Sequence, residues 1–351
     1  MKKELVIVNT KQFSYHTDTY KYCKYLNKSY SISYFCIDQG KKKQDLKEVN
    51  VFYQNDSYTF FFKELKFILS SYFFIKTKSK NAIVFLVYNR FSFLLNLLLD
   101  QKIILDIRTA SVKRNKYIRY FEDLILKFNV FFFKEISIIS HALAKKLKIK
   151  KYKLLPLGSD VISNSQKDYN RLRLLYVGTL YNRNIHLVLD SIKIVYETNQ
   201  NIIESFNIFG SGSKEEENLI MTKISDYGLS KTVFFHGHQP HKNIKYFFDY
   251  SNIGISFIPI TSYFDFQPPT KTFEYIMSGL FCIGTATYAN KEIINSTNGI
   301  VSLDDPISFS NAIIEAYNNR ANMDFEIIKN SLSNYSWDSI INNNLVNLIE
   351  D

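Results

Sequence analysis

Along the first 150 residues, short β-rich apolar runs alternate with longer stretches of helical spacing. Residues 5–8, 32–37, 82–87, 103–106 and 136–140 read as strands, and 17–27, 60–74, 91–99, 117–135 and 142–147 as helices. Strand, helix and strand in succession make a parallel sheet with crossover connections. Residues 162–171 carry no apolar periodicity and read as a linker. A second series then begins, with strands at 174–177, 205–209, 233–236, 253–258 and 280–285 and helices at 186–197, 214–227, 244–250 and 271–278. A last helix starts at Trp337. The expected fold class is α/β, two doubly wound Rossmann-like domains facing a cleft, with no repeat at a fixed period.

A length of 351 residues agrees with two domains. The expected division is 1–163 and 171–336. Aromatic residues make up 16% of the chain, and Asn, Lys, Ile, Phe and Tyr are abundant together, a coding bias that weakens any argument from one Phe or Lys. The formal charge of +11 favours an anionic partner: nucleic acid, a phospholipid surface or a phosphorylated substrate. Basic residues are dispersed and match no nucleic-acid module, so no nucleic acid is expected as partner. Cys23, Cys36 and Cys282 lack metal-ligand spacing and imply a reducing compartment without disulfides or zinc. The apolar start is too short for a signal peptide, and the run at 84–99 is interrupted by Arg90, so any membrane contact is expected to be peripheral.

The densest candidate chemistry is Pro268-Pro269-Thr270-Lys271-Thr272-Phe273-Glu274-Tyr275-Ile276-Met277-Ser278-Gly279. Two prolines fix the entry of a short helix and Gly279 supplies its left-handed stop. Free amides at its N-terminus form an anion site, and Lys271 in the first turn opposes the dipole unless an anion compensates it. Glu274, three residues on, shares the face and suits ribose hydroxyls, although a surface Lys–Glu pair would read the same way. Glycines after two strands, Gly178 and the pair Gly210 and Gly212, let backbone amides approach phosphate, though neither turn is a full dinucleotide fingerprint.

Val177-Gly178-Thr179-Leu180, Ile208-Phe209-Gly210-Ser211-Gly212, Phe234-Phe235-His236-Gly237-His238, Lys271-x-x-Glu274-Tyr275-Ile276-Met277-Ser278-Gly279, Asn290-Lys291-Glu292-Ile293-Ile294 and Asn298-Gly299-Ile300 occur in one order. The stretch from 174 to about 305 thereby resembles the donor-binding domain of family 4 glycosyltransferases, retaining enzymes of the GT-B fold. The resemblance implies that Glu274 binds the donor ribose and that Lys271 and Arg183 contact the diphosphate, with amides around Gly178 and Thr270. Two positions depart from the family: Phe266, beside Asp265, stands where its first carboxylate is expected, and Thr179 where many members carry Arg. The amino half, expected to be the acceptor side, is less similar. His16 and Asp18, in the loop after the first strand, and Asp106 and Arg108, at a strand's carboxyl end, are its candidates for contacts with the transferred sugar and acceptor; solvated loop residues would equally account for the first two and a structural ion pair for the others. The resemblance also implies that the last helix, at about 337–351, crosses back to complete the first domain.

The resemblance implies a metal-independent transferase of the EC 2.4 type, hexosyl or related. It would move a sugar from a nucleotide-diphosphate sugar to a glycan acceptor, lipid-linked in the expected case, in bacterial surface polysaccharide synthesis. The nucleotide-sugar is then a substrate, and no cofactor is expected. Basic aromatic segments, Phe60-Phe61-Phe62-Lys63-Glu64-Leu65-Lys66-Phe67-Ile68-Leu69 and residues 117–134, suit an anionic membrane surface or, equally, a packed core. The expected location is cytoplasmic, peripheral on the inner face of the membrane. Alternatives are a GT-B sugar-nucleotide epimerase and a catalytically silent scaffold.

Overall fold

The first apolar run becomes β1 (Lys3–Asn9), whose last five residues are buried. It is the third strand of seven in a computed structural model that describes residues 2–55 and 60–350. Around it lie α1 (Thr17–Leu26), β2 (Tyr30–Asp38), β3 (Val49–Asn55), α2 (Phe60–Lys76), β4 (Ile83–Val87), α3 (Ser92–Leu98), β5 (Ile103–Ile107), α4 (Lys116–Phe131), β6 (Glu135–Ile138), α5 (His141–Leu147) and β7 (Lys153–Leu154). The strands are parallel, in the order β3-β2-β1-β4-β5-β6-β7. Edge strand β3 escapes the sequence pattern because none of its residues is buried. The side chains of Phe60 and Phe61, at the start of the basic aromatic segment, lie outside the described residues.

Helix α4 is shorter than the expected 117–135. Asn115 caps it, its side chain accepting from the amides of Tyr117 and Ile118, and it stops at Phe131. Phe133 is buried, and Glu135 pairs opposite Ile104 as β6 joins the sheet. A run of three Phe has no helical polarity, so strand pairing decides where it ends. The chain returns to this unit at its end, through α13 (Trp337–Ile340), a π-helical turn (Ile341–Leu345) and α14 (Val346–Glu350). Trp337 is buried edge-on against Tyr22, which in turn meets Phe85 edge-on. Lys102 donates to the last carbonyls of α14, at Leu348 and Ile349, where a cation complements the helix dipole.

A six-stranded parallel sheet, β10-β9-β8-β11-β12-β13, organises the second unit. It comprises β8 (Leu172–Val177), α6 (Ile185–Thr198), β9 (Ile203–Phe209), α7 (Lys214–Asp226), β10 (Val233–Phe235), α8 (His241–Tyr250), β11 (Ile253–Ser256), α9 (Thr270–Met277), β12 (Phe281–Thr285), α10 (Tyr288–Lys291), β13 (Gly299–Ser302), α11 (Pro306–Asn318) and α12 (Phe325–Asn330). The two units comprise Met1–Leu157 with Trp337–Asp351, and Gly158–Ser336.

Two segments differ from the sequence reading. The stretch expected as a linker packs onto the second unit: Ser278 Oγ accepts from the amides of Ile162 and Ser163, Tyr169 donates to the Gly279 carbonyl, and buried Lys167 donates to the carbonyls of Phe248 and Asp249. Its order comes from polar anchors, which periodicity does not register. Asp304-Asp305, in a stretch where the pattern gave no helix, leads into α11. Asp305 caps that helix by accepting from the Ser308 amide, with Pro306 in its first turn, and Asp304 accepts from the Ile260 amide.

Candidate active site

In the second unit the carboxyl ends of β8, β9 and β11 meet the N-terminus of α9, where ligands sit in doubly wound sheets. Helix α9 begins after Pro268-Pro269, and Pro269 offers its first amides no side-chain cap. It ends on Gly279 at φ +73°, with the amides of Gly279 and Leu280 returning to the carbonyls of Ile276 and Tyr275. Tyr275 is buried, and its hydroxyl accepts from the Val177 amide at 2.7 Å, tying the helix to the end of β8. Across from it, Gly210 approaches the Gly178 carbonyl so closely that a Cβ would lie 1.8 Å from that oxygen. The glycines therefore bring two strand ends together and keep their backbones accessible.

Two cavities open here. One of about 310 Å³ is lined by Gly178, Thr179, Arg183, Thr270 and Lys271, with Tyr176 and the end of β11 as its apolar wall. The second, about 410 Å³, shares Val177, Gly178 and Thr179 and adds Phe209, Gly210, His238 and Gln239.

Arg183 reaches the first cavity from a loop held open at several points. Tyr176 donates to the Thr179 carbonyl at 2.6 Å, Glu216 accepts from the Asn182 amide at 2.9 Å, and Asn182 and Asn184 take left-handed backbone conformations that Asn tolerates. The guanidinium lies 4.2 Å over the ring of Phe264. Its Nη1 is buried with no hydrogen-bond partner among the described residues, and burial lowers its pKa. A cation desolvated in this way invites an anion. Lys271, on the same wall, is ion-paired with Glu274 one turn further along.

The structure thus gathers Gly178, Thr179, Arg183, Thr270 and Lys271 around one cavity and places Gly210 on the next. Glu274 lines neither and meets Lys271. Gly212 lines neither cavity: a Cβ there would lie 2.7 Å from the Glu216 carboxylate and 2.8 Å from Leu180 Cβ, so its glycine serves close packing. Asp265, the carboxylate beside Phe266, accepts from the Tyr288 amide at 2.8 Å, while Phe266 stacks on the Tyr288 ring.

In the first unit the side chains of Asp18, Asp106 and Arg108 converge in the interior, with His16 half-buried beside them. His16 caps α1 and accepts from the Thr19 amide, and burial lowers its pKa. Asp18 is ion-paired with Arg108, which donates to the Leu155 carbonyl at 2.7 Å and lies 3.8 Å from Asp106. Asp106 is fully buried, accepts from Ser137 Oγ at 2.7 Å, and is pushed up to about 6 by burial. Asp106 and Arg108 thus form the ion pair that the sequence equally allowed, with side chains that have almost no solvent-facing surface, while Asp106 Oδ2 and Arg108 Nε have no hydrogen-bond partner among the described residues.

The cavity of this unit, about 520 Å³, lies just beyond them, lined by Lys11, Tyr88, Asn89, Arg90, Ser111 and Lys113 among others. Arg90 pairs with Glu122 at 2.8 Å and approaches Glu64, whose pKa burial raises. Sequence reasoning stopped one loop short. The rule that ligands gather beyond strand ends pointed to residues 88–90 and 109–113 as much as to Asp106. Among the described residues no group of three or more His, Cys, Asp or Glu side chains is placed to hold a metal ion.

Residues 171–319 match the family model described as Glycosyl transferases group 1. No curated protein matches the chain. Among solved structures, sucrose-phosphate synthase from Thermosynechococcus elongatus is similar, at 12% identity and a TM-score of 0.77 over 99% of this chain and 98% of that one. A glycosyltransferase from Rickettsia africae aligns at 14% identity and 0.76 over 99% and 98%. HepE from Anabaena, solved in complex with UDP, aligns at 11% identity and 0.75 over the whole of both chains. At such identities these likenesses establish the fold, two Rossmann-like domains of the GT-B type.

Proposed function

We propose that this chain, which carries a glycosyltransferase group 1 domain in a GT-B fold, transfers a sugar from a nucleotide-diphosphate sugar to a glycan acceptor. The observation that carries the proposal is Arg183: a buried guanidinium with an unpartnered nitrogen, in one cavity with Lys271 and the uncapped start of α9. Such a site suits a diphosphate, and HepE, with the same fold, was solved with UDP.

In this reading the diphosphate lies against Arg183 and the amides at Gly178 and Thr270. Glu274 releases Lys271 to the phosphates and takes up the ribose hydroxyls. The bond from the anomeric carbon to the phosphate oxygen breaks, the acceptor oxygen bonds to that carbon from the same face, and the acceptor proton passes to the leaving phosphate. Configuration is retained. Arg183, Lys271 and the helix amides offset the charge growing on the leaving group, and no metal is required. The proposed acceptor is a lipid-linked glycan at the inner face of a bacterial membrane, in surface polysaccharide synthesis.

A thermal-shift series with UDP-, GDP-, ADP- and CMP-sugars tests the donor site, with Glu274→Ala and Arg183→Ala beside the parent chain. A ligand that binds only the folded protein raises the melting point. The expected result is a rise with one nucleotide class, lost in both variants; a rise with none, or one that both variants retain, sinks the reading. Product analysis without acceptor separates transfer from epimerisation, which would release free nucleotide and sugar.

A further inference from the structure

A helix that covers a sheet ordinarily turns its apolar side inward, and α4 does the opposite. Tyr117, Tyr120, Phe121, Leu124, Phe128 and Phe131 follow the helical repeat and all point outward, with Tyr117 73%, Phe121 61% and Phe131 86% exposed. The inward side carries Leu126, but also Glu122 bound to Arg90, and Asn129, which is fully buried and bonded to the Phe93 amide and the Arg90 carbonyl.

The stripe continues onto the neighbouring helices. Crossovers from β3 to β4, β5 and β6 all step the same way across the sheet, and their right-handedness puts α2, α3 and α4 on one face. Phe93 of α3 meets Phe128 edge-on at 5.3 Å, and α3 exposes Leu97 and Leu98. Helix α2 exposes Phe62, Leu69 and Phe73, again at helical spacing. Monomeric soluble proteins seldom leave so continuous an apolar face uncovered.

Charge selects the occupant. The unit that bears this face holds 30 Lys and Arg against 15 Asp and Glu, whereas the other holds 14 against 18, so the whole positive excess is on the first. Lys113, Arg114 and Lys116 precede or begin the stripe, and Lys134 follows it. Outward aromatics flanked by cations suit an anionic leaflet, where rings settle at the headgroup level and cations meet phosphate. A second copy would set the same positive field against itself.

We infer that the outward face of α4, continued by α3 and α2, docks the protein on an anionic phospholipid surface. The inference rests on the lipid-linked acceptor proposed above and assigns the surface that reaches it. The same α4 that would lie on the leaflet walls the 520 Å³ cavity through Glu122 and Leu126.

The test is flotation of the full chain with phosphatidylcholine vesicles, with and without phosphatidylglycerol, beside Phe121→Ser/Phe131→Ser and Lys116→Glu/Lys134→Glu. Expected is flotation with the anionic vesicles only, weakened by salt, and reduced in either double variant by about tenfold or more in the bound-to-free ratio. The nucleotide-sugar thermal shift should stay as in the parent, which separates this surface from the donor site. Equal flotation of parent and variants, or none with anionic vesicles, overturns the inference. So does a dimeric mass in light scattering that falls to the monomer in the aromatic variant, because a second copy then covers the face.

Discussion

The two units share one construction and differ in what they place on it. Each is a parallel sheet whose first strand lies third in order, yet the first unit is strongly basic, turns the aromatic stripe of α4 outward and buries an ion network behind its strand ends. The second is slightly acidic, brings glycine-lined strand ends together, and leaves one desolvated arginine facing a cavity. Sheet topology fixes where loops converge, whereas the chemistry at that point depends on a few side chains and on which way each helix is rolled.

The largest expected effect concerns the end of the chain, which completes the first unit. Trp337→Ala should cost about 3–5 kcal/mol in chemical denaturation, as for other buried aromatics cut to alanine. If stability barely changes, the terminal helix is an appendage, and the units differ less in extent than described. Next is the donor cavity. Arg183→Ala should lower kcat/KM in a transfer assay by about 10²–10³-fold, the usual loss when one donor to a developing anion is removed. A loss under tenfold would leave the unpartnered guanidinium without a role in the reaction.

The third prediction separates the ion network from a catalytic group. Burial raises the Asp106 carboxyl to about 6, above its unfolded value, so the folded state holds its proton over the window between them. As the pH falls through that window the group adds stability, complete once the pH is below the unfolded value and absent above the folded one. Asp106→Asn should remove about 2–3 kcal/mol of that pH dependence when urea midpoints at pH 7 and pH 4 are compared with the parent. Parallel curves would break the assignment. The smallest effect is at the exposed stripe, where Phe131→Ser should change stability by less than about 0.5 kcal/mol. A larger loss would show that the ring is covered in solution.

Much of this was legible before any coordinates. The strand runs, the short helix between Pro269 and Gly279, and the glycines at 178 and 210 carry local signatures, and each lies where the pattern put it. Edge strand β3 and the strap at 162–171 were not, since one lacks a buried face and the other is held by scattered polar anchors. At the sites, residue type suggested Arg183 and Lys271, but the same reasoning also selected Gly212, Asp106 and Arg108, which pack or pair in the interior.

The sequence by itself determined the alternation of strands and helices, the parallel sheets and the uncapped start of α9, because these follow from spacing, capping and backbone restriction within a few residues. Only the tertiary structure decided which carboxylates are buried, that Arg183 Nη1 beside the cavity lacks a partner, and that the aromatic stripe of α4 faces out. Periodicity says that a helix has an apolar side; the neighbours packed against it decide where that side points.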